Sequence, residues 1–105
     1  MIRHNGCRGF KIWKWGKIQI ELWLVPKHEY IEPHVHQTVE SMIMLIFGTM
    51  VGRIDETAGT VKPFHRYSVP AGVIHSARAQ SFCAFINIER WHGEPTSAAD
   101  DFTAV

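Results

Sequence analysis

The sequence predicts a single all-β domain, built as a barrel or sandwich of about eight strands. Apolar and polar residues alternate with a period of two in segments such as KIQIELWLV, which is the pattern of a half-buried strand. Gly and Pro residues divide these segments into pieces of strand length. No segment has a sustained helical period, and many short strands at regular spacing are typical of β-sandwiches and barrels.

The turn residues set the predicted strand boundaries. The predicted strands cover residues 10–15, 17–25, 30–36, 41–47, 49–54, 62–69, 73–79 and 82–89. In the second strand, one face carries Ile18, Ile20, Leu22 and Leu24, and the other carries Gln19, Glu21 and Trp23. Residues 1–92 are therefore assigned to the barrel, and residues 93–105, which lose the alternation, to a C-terminal tail.

The first predicted strand has apolar groups on both faces. Strict alternation places Phe10 and Ile12 on one face and Trp13 and Trp15 on the other, where Trp23 joins them. Either the tail or a loop covers this aromatic set, or it forms a subunit interface, since exposed aromatic patches mark contact surfaces. We expect a homodimer.

Composition narrows the classes of function and partner. The 105 residues suffice for one core, and a net charge of +1 provides no field that would draw the chain to a polyanion. Cys7 and Cys83 lack the spacing of a metal knuckle or a redox pair. The N-terminal segment has no signal-peptide core, and the longest apolar run is too short to span a bilayer. We therefore expect a cytoplasmic protein without membrane contact.

A nucleic-acid interface is the alternative that the N-terminal segment raises. Basic residues alternate there with aromatic ones, in an order that could stack on single-stranded bases: Arg3, Arg8, Phe10, Lys11, Trp13, Lys14, Trp15 and Lys17. Ordinary strand use is favoured because the positive charge is local and the total charge is balanced. We do not expect a nucleic-acid partner.

A group of potential metal ligands lies in two separate segments. His34 and His36 are two residues apart, so on a strand both side chains point to the same face. Glu40 follows across a predicted bend, and His75 follows the turn at 70–72, where Gly72 can adopt a positive φ. A single buried His is more often a hydrogen-bonded core residue than a ligand. Several buried imidazoles, however, each cost desolvation free energy that one shared metal ion would offset.

These residues carry a resemblance to a known family. The string His34-x-His36-x-x-x-Glu40 resembles the first motif of the cupin superfamily, and Pro70-x-Gly72-x-x-His75 resembles the second. The chain departs from the usual pattern at His28, Gly48 and Ala79, none of which is a ligand. The resemblance implies a small single-domain jelly-roll barrel, similar to the RmlC-like cupins, with a divalent metal held by His34, His36, Glu40 and His75.

The resemblance also implies a function. Four protein ligands on an octahedral ion leave positions open for a substrate, whereas a structural zinc site would be closed. Fe, Mn, Ni and Zn all accept this ligand set. We expect a metal-dependent enzyme, such as a dioxygenase or isomerase, acting on a small polar carbon substrate such as a sugar acid or keto acid. The alternative is a non-catalytic cupin that binds or senses a small ligand.

Candidate pocket residues are chosen by the face of the strand on which they lie and by their chemical type. If a strand continues unbroken from Glu40, Met42 and Met44 share its face and form an apolar floor. Ala77, beside His75, leaves space for a ligand. The polar candidates are Tyr30, Arg53, His65, Arg78 and Asn87. Solvated exterior positions are the alternative for each of them, above all for the arginines.

Overall fold

The computed structural model describes residues 1–105, which form eleven β-strands and no helix. The strands are β1 Ile2–His4, β2 Cys7–Trp15, β3 Ile18–Val25, β4 Tyr30–Val35, β5 Val39–Phe47, β6 Met50–Ile54, β7 Thr57–Thr60, β8 Tyr67–Val69, β9 His75–Ala79, β10 Cys83–Trp91 and β11 Thr103–Ala104. The prediction of an all-β fold is confirmed. The chain contains no helix that is long and apolar enough to cross a membrane.

The strands form two antiparallel sheets. The first has the order β1-β2-β3-β10-β5-β8, and the second has the order β11-β4-β9-β6-β7. The chain passes between the sheets at successive connections, from β3 to β4, from β4 to β5 and from β5 to β6. This is a jelly-roll arrangement, and the site described below lies between the two inner faces.

The buried face of β3 is opposite to the one that hydrophobicity suggests. Burial alternates along the strand so that Gln19, Glu21, Trp23 and Val25 are buried, while the isoleucines and leucines between them are half-exposed. Trp23 therefore does not join an outer aromatic set, because its ring packs inside against Phe85 with the ring centroids 6.5 Å apart.

A β-bulge explains the two apolar faces of β2. Phe10 pairs with Leu22, but the register shifts between Lys11 and Trp13, after which Trp13 pairs with Ile20. The extra residue reverses the parity of the strand, so Phe10 and the later tryptophans lie on the same outward side. They extend the outer apolar face, which comprises Phe10, Trp13, Trp15, Ile18, Ile20, Leu22, Leu24, Met42, Met44, Ile46, Ile86 and Ile88.

The C-terminal segment ends in a strand of the second sheet. β11 pairs with β4, with Thr103 opposite Val35 and Ala104 opposite His34. The backbone N–H of Val105 also donates to the carbonyl of Pro33. Ser97 and Ala98 are buried. Residues 101–105 therefore lie against the strand that carries the first two histidines, and we refer to them as the strap.

Candidate metal centre

Three histidines come together between the sheets. His34 lies on β4 and His36 follows that strand, whereas His75 begins β9 and is the direct cross-strand partner of His34. One ring nitrogen from each residue lies within 4.8 Å of the others. The turn before β9 contributes to this placement, because Gly72 has φ +82° and its N–H donates to the carbonyl of His36 over 2.8 Å.

Backbone carbonyls orient all three imidazole rings. Nδ1 of His34 lies 2.7 Å from the Glu32 carbonyl oxygen, and Nδ1 of His75 lies 3.1 Å from that of Val73. Nδ1 of His36 contacts the carbonyl oxygen of Asp101. A carbonyl can only accept a hydrogen bond, so each Nδ1 carries the proton and each Nε2 keeps a free lone pair. Histidines that bind metals in other proteins commonly donate their second ring N–H to a carbonyl or carboxylate in this way.

The three rings are neutral at physiological pH. Burial lowers the pKa of His34 to about 3, and the neighbouring His75 adds to this effect. Burial lowers the pKa of His75 to about 4, and it also lowers the pKa of His36. A metal ion at the Nε2 atoms would therefore have no proton to displace there.

The strap closes one side of the cluster. The Phe102 ring stacks on His34 with the ring centroids 4.1 Å apart and the planes 17° apart. The Asp101 carboxylate accepts hydrogen bonds from the backbone N–H groups of Gln37 and Thr38 over 3.0 and 2.9 Å. These bonds hold the strap at the end of the His34–His36 segment.

Glu40 does not join the histidines. Along β5, Val39 and Ser41 are buried, and Glu40 between them points to the outer side. Its carboxylate lies 3.5 Å from Arg90 Nη1 and 3.9 Å from His92 Nε2. Side chains alternate between the two faces along β5, and Ser41 and Ile43 line the cavity. Met42 and Met44, which were predicted to form its floor, therefore lie on the outer apolar face.

The other predicted pocket residues divide between the cavity and the exterior. Ala77 and Asn87 line the cavity, and Arg53 lies at its rim with its Nε donating to the Asp55 carbonyl. The remaining candidates, Tyr30, His65 and Arg78, are exposed and do not line it. The Arg78 guanidinium lies over the Tyr30 ring, 4.7 Å from the centroid, on the outside of the second sheet.

The cavity beside the histidines is large enough for a small metabolite. Its volume is about 310 Å³, and apolar side chains such as Ile43, Leu45 and Phe85 contribute much of its wall. Known ligand pockets begin near this size. The cluster therefore opens onto an apolar cavity that contains few polar groups.

Sequence reasoning missed a set of buried polar residues on the inner face of the first sheet. We call it the polar wall, and it comprises Gln19, Glu21, Ser41, Asn87 and Glu89. Only Asn87 was predicted to face the pocket. Residues two apart on a strand point to the same face, so Glu89 should face inward with Asn87 on β10. The alternation of that strand could therefore have revealed Glu89.

The three-histidine set fits a divalent transition metal. Neutral imidazoles suit Fe, Ni, Cu and Zn, and no Asp or Glu side chain belongs to the cluster. Three protein ligands leave one position open on a tetrahedral ion and more on an octahedral one. The arrangement is that of an open site rather than a closed structural one.

Comparison with known proteins identifies the fold. No protein-family model matches the sequence, and no curated protein matches it. Among solved structures, a cupin superfamily protein from Desulfitobacterium hafniense DCB-2 aligns with a TM-score of 0.72 and 18% identity, covering 87% of this chain and 83% of that one. KdgF from Halomonas sp. aligns with a TM-score of 0.80 and 12% identity, covering 86% and 84%.

An enzyme structure shares the same fold. Salicylate 1,2-dioxygenase from Pseudoaminobacter salicylatoxidans, solved as adducts with gentisate, aligns with a TM-score of 0.75 and 8% identity. The alignment covers 83% of this chain and 25% of the dioxygenase. The chain thus has the small single-domain cupin fold that its two motifs predicted.

Proposed function

We propose that this cupin-fold protein binds one divalent transition metal through His34, His36 and His75 and is an enzyme acting on a small polar carbon compound. The observation that carries the proposal is the shared orientation of the three rings, each with Nδ1 at a backbone carbonyl. This orientation leaves the three Nε2 lone pairs free for one shared ion, as in histidines that bind metals in other proteins. Without a carboxylate ligand, Fe, Ni and Zn are favoured over Mn.

A bound ion would supply Lewis-acid or oxygen-activating chemistry. The residues of the chain have separate roles in this proposal. The histidines hold one end of the cavity, apolar side chains exclude water from its wall, and Phe102 covers His34. A sugar acid, keto acid or similar compound would bind between the two sheets. Isomerase and dioxygenase chemistry both fit, and the dioxygenase of the same fold supports the enzyme hypothesis.

Binding without catalysis is the second candidate function. The surface of the cavity is mostly apolar, as expected of a protein that stores or senses a ligand. Native mass spectrometry of untagged protein tests both hypotheses by identifying a co-purified metal and compound. Incubating the metal-loaded protein with that compound then distinguishes them, because an enzyme converts it and a binding protein releases it unchanged.

We also propose that a second copy of the chain covers the outer apolar face. Leu22, Ile86 and Met44 lie side by side across three strands there, and Trp15 beyond them is 76% exposed. A two-fold axis lets such a face pair with itself. Light scattering should give the mass of a dimer for the wild type and of a monomer for Leu22→Glu. Arg78→Glu, on the opposite sheet, should remain dimeric.

We also propose that the protein is cytoplasmic. Both thiols are free and buried, and burial raises the pKa of Cys7 to about 11. Unpaired thiols are usual in reducing compartments. Fractionation of cells that express the untagged chain tests the location.

A further inference from the structure

The polar wall has an ordered structure across three strands. On β10, Glu89 pairs with Gln19 of β3 and with Ser41 of β5. Asn87 pairs in the same way with Glu21 and Ile43. All five polar residues are at most 5% exposed. Burying so many polar groups together is costly unless hydrogen bonds satisfy them.

Hydrogen bonds fix most of the wall. Glu89 Oε1 accepts from Gln19 Nε2 over 3.1 Å and from Trp91 Nε1 over 3.0 Å, and its Oε2 accepts from Asn87 Nδ2 over 3.1 Å. Glu21 Oε1 accepts from Trp23 Nε1 over 3.1 Å. One N–H of the Asn87 amide is therefore bonded to Glu89, and this bond turns Nδ2 towards Glu89 and Oδ1 away from it.

Four buried oxygens of the wall have no partner. They are Gln19 Oε1, Glu21 Oε2, Ser41 Oγ and Asn87 Oδ1. Only Ser41 and Asn87 among the five residues also line the cavity. Both lie on the first sheet, whereas His34 and His75 belong to the second, so the cavity has a metal-binding side and an opposite polar side.

The chemistry of these two residues selects one kind of ligand group. An amide oxygen only accepts, and a serine hydroxyl can both donate and accept. A ligand carboxylate cannot donate to Asn87 Oδ1, and the carboxyl groups of Glu21 and Glu89 behind it disfavour a second anion there. A ligand hydroxyl has the required chemistry, because it can donate to Asn87 Oδ1 and accept from Ser41 Oγ.

We propose that Ser41 and Asn87 form a subsite for a hydroxyl group of the ligand, opposite the three histidines. The inference rests on the proposed function, because it assigns the class of compound to the same cavity: a hydroxylated carbon compound, such as a hydroxy acid or sugar acid, with its hydroxyl on the polar wall. A site built to hydrogen-bond a hydroxyl strongly rejects the analogue that lacks it.

Calorimetric titration tests the subsite with matched probes. Glycerate and propanoate have the same carbon chain and differ in hydroxyl groups, as do gluconate and hexanoate. The titrations use the full chain both loaded with zinc and free of metal. We expect the wild type to bind at least one hydroxylated probe about tenfold or more tightly than its partner, which is the effect of one to two hydrogen bonds. Ser41→Ala should remove most of that preference.

Controls separate a lost contact from a lost fold. Because Ser41 Oγ has no partner, Ser41→Ala should melt at the wild-type temperature or above it. Ile43→Val changes the same cavity wall without touching the polar atoms and should keep the preference. Asn87→Leu is the second variant, and comparison of its amide spectrum with that of the wild type checks that it folds.

The outcomes distinguish this proposal from the metal proposal. Equal binding of both probes, no binding of either, or a preference that survives in folded Ser41→Ala would overturn the subsite. Zinc binding that depends on the histidines, together with any of these results, would leave the metal proposal standing. A hydroxyl preference in protein that binds no metal would support the subsite and overturn the metal site.

Discussion

His34 and His75 lie directly opposite each other on neighbouring antiparallel strands, with their ring centroids 4.0 Å apart. Both rings are buried, and both direct Nδ1 to a backbone carbonyl two residues earlier in the chain. Neither ring depends on a side-chain partner for its orientation. The backbone itself therefore prepares these two nitrogens for a common ligand.

Metal content should depend on the histidines and not on Glu40. Untagged wild-type protein should contain about one divalent ion per chain, and His34→Ala and His75→Ala should contain almost none. Glu40→Gln should keep the wild-type content, because its carboxylate lies outside beside Arg90. Elemental analysis measures all four proteins. Full metal content in both histidine variants would contradict the site.

Phe102 should slow the exchange of bound metal. Its ring covers His34, so Phe102→Ala should release the ion to a chelator about tenfold faster, as expected when a packed aromatic cover is removed. The rate of loss can be followed with a colorimetric chelator. Phe64→Ala removes an aromatic ring that is 67% exposed and does not line the cavity, and should exchange like the wild type. Equal rates in all three proteins would show that the strap does not control access.

The metal-free protein should lose stability in acid. An unfolded histidine takes up a proton below its ordinary pKa of 6.5, whereas burial keeps His75 neutral until pH reaches about 4. The unfolded state therefore binds more protons in this window, and the free energy of unfolding falls as the pH falls.

Replacement of His75 isolates its share of this effect. His75→Gln should flatten the pH dependence by up to about 1.4 kcal/mol per pH unit between pH 4 and 6.5. Urea unfolding at a series of pH values measures the slope. Gln keeps a polar side chain of similar size, so parallel slopes for the variant and the wild type would exclude the assigned protonation state.

The buried pair Glu21 and Glu89 should make the free energy of unfolding fall as the pH rises, which is the opposite of the histidine effect. Burial and the neighbouring Glu21 raise the pKa of Glu89, so the folded pair retains a proton that an unfolded carboxyl loses above pH 4.5. The folded state then binds more protons, and stability falls as the pH rises. Glu89→Gln should lessen this decline by up to about 1.4 kcal/mol per pH unit, whereas Glu40→Gln should not. Unfolding curves from pH 5 to 8 measure the difference.

The sequence predicted the fold and the placement of His34 and His36 on one face because both depend on local patterns. Alternation with a period of two predicted the strands, and the spacing of His34 and His36 placed both rings on one face. The prediction placed Glu40 with the histidines, but the alternation of inward and outward residues on β5 points it outward. The bend before β5 interrupts the alternation, so the side of Glu40 cannot be counted from His36. Ser41 takes the inner position instead.

Hydrophobicity alone suggested the wrong buried face for β3. Its isoleucines and leucines lie on the outer apolar face, while Gln19 and Glu21 are buried and hydrogen-bonded to residues of the inner side. In this part of the sheet the usual pattern, with apolar side chains inside and polar ones outside, is reversed. Cross-strand pairing, which the sequence does not reveal, decides the outcome.

The strap also determines when the site can form during synthesis. The hydrogen-bond partner of His36 is the carbonyl of Asp101, and the ring that covers His34 belongs to Phe102. Ribosomes make the chain from its amino end, so the histidines emerge well before these two partners do. Until residues 101–104 have left the ribosome, His36 lacks its orienting bond and β4 has an open edge. Metal loading is therefore expected as a late step of maturation, after the barrel strands have paired.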